Sequence, residues 1–143
     1  AAAILFGGGA PVVAHVGDSR IYLWRDGSLR QVTQDHSWVS EQVRAGVMTE
    51  TDARRHPWRN VVTRALAGGE DPEIDVAEIE LRHQDRVVLC SDGLHGVVAP
   101  ERFTAIMKQA ETLEQTCRTL VTAANEAGGP DNITVAILHV DVE

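Results

Sequence analysis

The sequence is poor in several features, and each shortage excludes a class of protein. Its 143 residues include two cysteines, and these lack the Cys-x-x-Cys or Cys/His spacing of a zinc site. No stretch approaches the roughly 20 apolar residues that span a bilayer, and the first residues lack the basic flank of a signal peptide. We therefore expect a soluble, cytoplasmic protein in which Cys90 and Cys117 are ordinary buried thiols.

Basic residues are also scarce relative to acids. Lys and Arg number 13 against 21 Asp and Glu, which gives a formal net charge of -8. Binding to a phosphate backbone requires a basic face, so this balance excludes nucleic acid as a partner and favours cations instead. The hydrophobic fraction of 43% supplies enough apolar material for the core of one domain.

The first 60 residues change from a strand pattern to a helix pattern. Short β-type runs separated by turn residues fill the first 33 residues and predict an antiparallel meander. Asp26 and Gly27 lie between two such runs and are typical of a type I′ hairpin turn. Residues 37–60 have helical spacing and a capping pair, Thr49 and Asp52, which predicts two short helices.

The second half alternates between strands and helices. After a predicted loop at residues 66–73, "IDVAEIEL" is typical of a half-exposed strand and "DRVVLCSD" of a buried one. Pro100 begins a predicted helix, a second apolar stripe covers residues 113–124, and "NITVAILHV" predicts a last strand. This order predicts an α+β fold in which antiparallel sheet is covered by helices.

Acidic residues stand at three places where an apolar run begins or ends. Asp92 follows "VVLCS", Asp131 precedes "NITVAILHV", and Asp18 follows "VVAHVG". If the strands at Asp92 and Asp131 are antiparallel neighbours, their carboxylates converge at one sheet edge. Clustered carboxylates repel one another, and a divalent cation offsets that repulsion. Oxygen-only ligands indicate Mg²⁺ or Mn²⁺ rather than Zn²⁺.

The same three acids have a second interpretation. Asp-Gly and Pro-Asp are common turn dipeptides. The pair at residues 26–27 repeats the letters of the pair at residues 92–93, and there we interpret it as a plain hairpin turn. Spacing alone therefore leaves open whether the three acids bind metal or only form turns.

Five sequence motifs carry a resemblance to a known family. They are, in order, "VAHVGDSRIYLW", "QVTQDHSW", "RHPWRNVVTRALAGG", "VVLCSDGLHG" and "GGPDNITVAIL". Together they resemble the PPM/PP2C family of metal-dependent protein serine/threonine phosphatases, in its compact bacterial form, over about residues 12–140. The resemblance implies an α-β-β-α sandwich of antiparallel sheets flanked by helices. It also implies a binuclear Mn²⁺ or Mg²⁺ centre in a cleft at one end.

The resemblance implies roles for individual residues. Asp92 and Asp131 would be carboxylate ligands of the same metal, and Asp18 would join Asp92 around a more weakly held third metal. Residues 37–60 would form a flap beside the site that influences substrate choice. His56, in this flap, would contact the substrate.

Other side chains near these motifs have open roles. Arg20 and Arg64 would orient phosphate by bidentate contacts, or each would form a structural ion pair with a carboxylate. His95 is near the acidic site along the chain but has no metal-ligand spacing. Trp38 and Trp58 are expected to pack the flap.

The sequence departs from the family upstream of the first motif. It lacks an acid after Asn-Glu, the "DGMGG" segment whose Asp bridges both metals, and a His that resembles a general acid, and it starts without Met. We therefore expect residues 1–143 to be a partial domain, somewhat more than half of the family's catalytic domain. Loss of a bridging carboxylate weakens the hold on both ions, so the isolated chain is expected to bind metal weakly and to be inactive.

For the complete domain, the expected activity is hydrolysis of phosphoserine and phosphothreonine in proteins phosphorylated by a serine/threonine kinase. Water that bridges two metal ions has its pKa lowered from about 15.7 to around 7 to 9. The resulting hydroxide would attack phosphorus directly, without a phosphoenzyme. Cys90 precedes no phosphate-cradling loop, so a cysteine nucleophile is rejected. The alternative is a non-catalytic binding or regulatory module on the same scaffold.

Overall fold

The computed structural model describes residues 1–67 and 71–141. The elements are, in chain order, β1 (Ala2–Leu5), β2 (Val12–His15), β3 (Arg20–Arg25), β4 (Ser28–Gln31), α1 (Trp38–Arg44), α2 (Glu50–Arg55), β5 (Asp75–Glu78), β6 (Arg86–Cys90), α3 (Asp92–His95), α4 (Pro100–Gln109), α5 (Leu113–Glu126) and β7 (Val135–His139). Within these ranges no helix has the length and apolar character that crossing a bilayer requires. Part of the predicted loop, at residues 68–70, lies outside the described residues.

The strands form two antiparallel sheets. One sheet has the order β1-β2-β5 and the other the order β4-β3-β6-β7. The chain changes sheets between β2 and β3, where Gly17 has a φ of 99°, a conformation that suits glycine. The prediction of one opening meander was therefore wrong, because strand periodicity does not determine which sheet a strand joins.

Local turn and cap predictions are confirmed. Asp26 and Gly27 have φ values of 50° and 75°, as the two central positions of a type I′ turn require. The Asp52 backbone N–H donates to Thr49 Oγ1 at 3.1 Å and begins α2. Pro100 is the first residue of α4. Short-range chemistry thus fixes these element ends.

The core has two layers, one on each face of the four-stranded sheet. Successive residues of β3 alternate between the faces. Tyr22 and Trp24 pack with apolar residues of α4 and α5, whereas Ile21 and Leu23 pack toward the three-stranded sheet. The order helices, sheet, sheet confirms the predicted sandwich of antiparallel sheets with flanking helices.

Strand β5 departs from the predicted alternation. All four of its residues are exposed, and the side chain of Val76 is 65% exposed. The buried apolar residue of this region, Ile79, lies just after the strand. The half-exposed prediction was wrong here because β5 pairs only with β2 among the described strands and no described helix covers it.

Candidate metal centre

The register of the four-stranded sheet brings Asp18 and Asp92 to the same edge. Strand β6 lies between β3 and β7, and Cys90 is opposite both Arg20 and Val135. Asp18 lies two residues before Arg20, and Asp92 lies two residues after Cys90. Continuing the antiparallel register therefore places these two acids opposite one another. The neighbour relationship that we predicted for the strands at Asp92 and Asp131 is confirmed.

The loop that carries Asp131 is fastened to the end of β6 by Ser91. The Ser91 N–H donates to the Thr134 carbonyl at 3.0 Å. Its hydroxyl donates to the Asn132 carbonyl at 3.2 Å and accepts from the Thr134 N–H at 3.0 Å. The Asp131 carboxylate is exposed and accepts the Asn132 N–H at 2.7 Å. The backbone of the third acid thus lies at the same sheet edge.

The carboxylates at this edge lack a cationic partner. Burial, and then the negative charge of the neighbouring Asp92, raise the pKa of Asp18. In residues 1–67 and 71–141, Asp18, Asp92 and Asp131 form no ion pair with Lys, Arg or His. Hard oxygen donors whose charge is uncompensated are the ligands that Mg²⁺ and Mn²⁺ prefer, so these residues fit such a cation.

The short helix α3 positions Asp92 and also holds Asp18. The sequence predicted a strand that continued to Asp92, but β6 ends at Cys90 and Asp92 begins the helix. His95 Nε2 donates to the Asp18 carbonyl at 2.7 Å. Burial lowers the pKa of His95 to about 4, so the ring is neutral at physiological pH. His95 thus supports the Asp18 backbone, a contact that its spacing in the sequence did not indicate.

The two arginines with open roles both form ion pairs. Arg20 donates to Asp35 in a bidentate contact, with distances of 2.8 Å from Nε to Oδ1 and 2.7 Å from Nη2 to Oδ2. Arg64 pairs with Asp75 at 3.2 Å and with Glu73 at 3.6 Å. The structure therefore shows the ion-pair alternative for each, and a phosphate contact by Arg64 stays a prediction.

His15, His36 and Asp75 form a second cluster, next to the Gly17 backbone that precedes Asp18. These three side chains are close enough to share an ion. However, His36 Nδ1 accepts the Gly17 N–H at 3.1 Å, so Nε2 carries the proton and donates to Asp75 at 2.8 Å. His15 donates to the Gln34 carbonyl at 2.7 Å and stacks on His36. Metal at His36 Nε2 would require a doubly deprotonated ring, so the cluster is a hydrogen-bonded support.

Helices α1 and α2 form the flap, which is the segment of residues 37–60. Its two ends meet, because the Trp38 N–H donates to the Val61 carbonyl at 2.9 Å. Trp38 and Trp58 are in edge-to-face contact at 4.9 Å, which confirms that they pack the flap. His56 lies against Trp38, with ring centroids 5.0 Å apart. A substrate contact by His56 stays a prediction.

A cavity of about 440 Å³ separates the flap from the acidic edge. Asp18 and Asp92 line one side, and Arg44, Arg54 and Arg59 line the flap side. His56, Arg64 and Asp131 are not among the lining residues. The lining of the cavity therefore combines a candidate cation site with three arginines of the flap segment, a composition that suits an anionic substrate.

Comparison with known proteins gives consistent matches. The profile of the family described as Protein phosphatase 2C matches residues 1–128. The chain is 40% identical over 131 residues to the serine/threonine phosphatase Stp of Listeria monocytogenes. This match covers 92% of the chain and 52% of the relative, so the chain spans about half the length of that curated relative.

Solved structures give the same result. The crystal structure of the Mycobacterium tuberculosis serine/threonine phosphatase PstP/Ppp superposes with a TM-score of 0.88 at 39% identity. This match covers 99% of the chain and 59% of that structure. The PstP catalytic domain in complex with two manganese ions matches with a TM-score of 0.82 at 38% identity, over 98% and 58%.

Proposed function

The chain belongs to the protein phosphatase 2C family, and from this membership we propose that it takes part in hydrolysing phosphoserine and phosphothreonine in proteins. The observation that carries the proposal is the position of Asp18 opposite Asp92 at one sheet edge, beside the cavity, with the backbone of the Asp131 loop hydrogen-bonded to the same edge. The substrates would be phosphorylated proteins, products of a serine/threonine kinase, and the location would be the cytoplasm.

We propose that the edge acids hold divalent cations. Asp92 and Asp131 would bind one Mn²⁺ or Mg²⁺ ion, and Asp18 with Asp92 would bind another. When bound, such cations acidify water for direct attack on phosphorus and neutralise the phosphoryl oxygens. The chain holds the backbone beside two of these acids in place, because Ser91 fastens the Asp131 loop and His95 donates to the Asp18 carbonyl.

The state of Cys90 supports direct hydrolysis. Burial raises the pKa of this thiol to about 12, so it is protonated at neutral pH. A thiol nucleophile must be ionised to attack phosphorus. The route through a phosphorylated cysteine therefore lacks a competent group at the acidic edge, whereas direct attack by water needs no thiol.

Calorimetric titration of the full-length protein with Mn²⁺ tests the ligand assignment. Asp92→Asn and Asp131→Asn should each lower the affinity by about tenfold or more, since each removes a charged oxygen ligand. Asp26→Asn is the matched control, because Asp26-Gly27 has the same letters as Asp92-Gly93 but lies in a hairpin turn that accepts Asn. Unchanged affinity in either site variant would contradict the assignment.

Turnover separates the enzyme from the non-catalytic alternative. In the full-length protein, Asp92→Asn or Asp131→Asn should abolish Mn²⁺-dependent hydrolysis of p-nitrophenyl phosphate, while Asp26→Asn keeps it. Binding of Mn²⁺ by the wild-type protein without any hydrolysis would favour a binding or regulatory module.

A further inference from the structure

The flap side of the cavity carries arginines that the metal chemistry does not use. Arg54 is on α2, Arg59 lies a few residues after the end of α2, and Arg44 is the last residue of α1. Neither Arg54 nor Arg59 forms an ion pair with any residue in the described part of the chain. Arg44 donates to the Asp35 carbonyl at 3.2 Å. Two guanidinium groups on this wall therefore keep their donors available to a ligand.

This wall contrasts with the charge of the chain as a whole. The chain has a net charge of -8, yet three arginines and one acid, Glu50, line the flap side of the cavity. Asp18 and Asp92, at the edge that we assign to cations, line the same cavity. The planar guanidinium matches a carboxylate in a bidentate contact, so the wall is suited to acidic side chains.

We propose that Arg54 and Arg59 bind acidic residues that flank the phosphorylated residue of a protein substrate. The inference rests on the proposed function, because it places the phosphate at the end of the cavity near Asp18 and Asp92. The polypeptide on one side of the phosphate then extends along the flap, where its Asp or Glu side chains reach the guanidinium groups. The flap thereby selects acidic sequences.

The exposure of Arg54 and Arg59 sets the expected size of their effect on peptide affinity. Both arginines are largely exposed, and one exposed ion pair changes an equilibrium constant by about 1.5-fold to fivefold. Two such pairs should therefore change affinity by about twofold to 25-fold. The difference should shrink as salt is added, because added ions screen exposed charges.

Fluorescence anisotropy with labelled peptides tests the proposal on the 143-residue chain without metal or turnover. One unphosphorylated peptide carries Asp and Glu on one side of a central serine. The other has the same length, with Asn and Gln in their place. The acidic peptide should bind about twofold to 25-fold more tightly, and the double variant Arg54→Gln with Arg59→Gln should remove this preference.

Arg55→Gln is the matched control. Arg55 is adjacent to Arg54 on α2 and is equally exposed, but it does not line the cavity. This variant should keep the preference, although its change in net charge equals that of Arg54→Gln. Equal binding of both peptides to the wild-type chain, no measurable binding of either, or equal losses in the Arg54 and Arg55 variants would overturn the proposal.

Failure of the proposed function gives a different pattern. If the full-length protein binds no Mn²⁺ while the 143-residue chain prefers the acidic peptide, the arginine subsite is retained and the metal assignment is lost. Mn²⁺ binding without a preference for the acidic peptide would retain the metal assignment and lose the arginine subsite.

Discussion

Gly93 lies in direct contact with the backbone of Asn132. A Cβ atom at position 93 would fall 2.0 Å from the Asn132 carbonyl oxygen and 2.8 Å from its carbonyl carbon. The backbone φ of Gly93 is not in the left-handed region, so proximity alone requires glycine here. This contact sets the separation between the Asp131 loop and Asp92.

Gly93→Ala should therefore lower the free energy of unfolding by about 1 to 3 kcal/mol, since backbone atoms must move to admit the methyl group. It should also weaken Mn²⁺ binding, because the displaced loop carries Asp131. Gly8→Ala is the control, because a Cβ atom at Gly8 meets nothing within 4 Å. Urea unfolding compares the variants, and equal stabilities would show that the contact is not needed.

Asp18→Asn should raise the melting temperature of the metal-free chain. The substitution removes a half-buried carboxylate that faces the charge of Asp92. Solvent screens a half-exposed pair, so the gain should be below about 1 kcal/mol. The same variant should gain less stability from added Mn²⁺ than the wild type does. A lower melting temperature without metal would contradict the repulsion between these carboxylates.

Acid stability should depend on Asp85. The side chain of Asp85 is 2% exposed and accepts from Arg25 Nη2 at 2.7 Å. This hydrogen bond, stronger in effect than burial, lowers the pKa of Asp85 below its ordinary value of 3.8. Its contribution is therefore complete above pH 3.8 and is lost as the pH falls through the lower folded-state pKa.

Asp85→Asn should make the free energy of unfolding smaller at neutral pH and less dependent on pH below about 4. Urea unfolding between pH 2 and 7 measures both quantities. Asp26→Asn should keep the steep wild-type dependence on acid, and the same steep dependence in Asp85→Asn would refute the assignment.

The two thiols should differ in reactivity. Cys90 is 4% exposed with a pKa raised by burial to about 12, whereas Cys117 is half-buried. With a disulfide reagent at pH 8, Cys117 should react first and Cys90 only as the chain unfolds. Cys117→Ser isolates the slow thiol. Rapid modification of Cys90 in that variant would remove the argument against a cysteine nucleophile.

The contrast between Asp26 and Asp92 shows which features can be predicted from the sequence alone. Both acids precede glycine, and the sequence alone left a turn or a ligand open for Asp92. The turn at Asp26 follows from its own neighbours, because positive φ at two central residues is a local property. The setting of Asp92 depends on β3 and β7, which lie far from it along the chain.

The same division explains the errors. Strand periodicity predicted β1 to β4 but not the change of sheet at Gly17. Alternation with a period of two indicates which face of a strand is buried, but not which strand lies beside it. The ion pairs of Arg20 and Arg64 and the hydrogen bond of His95 to Asp18 join residues from separate elements. Rules that consider only neighbouring residues cannot predict these contacts.

Residue order alone determined the helices α1, α2, α4 and α5, most strands, the turn at Asp26 and Gly27 and the choice of the three acids, because propensity, alternation and capping act over a few neighbouring residues. Tertiary structure alone decided which strands pair and in what register. It also decided that Asp18 lies opposite Asp92, that Gly93 admits the Asp131 loop, and that flap arginines line the same cavity as the acids. These contacts come from packing between segments that are distant along the chain. A shift of one residue in the pairing register of a strand would move all of its side chains to the other face of the sheet.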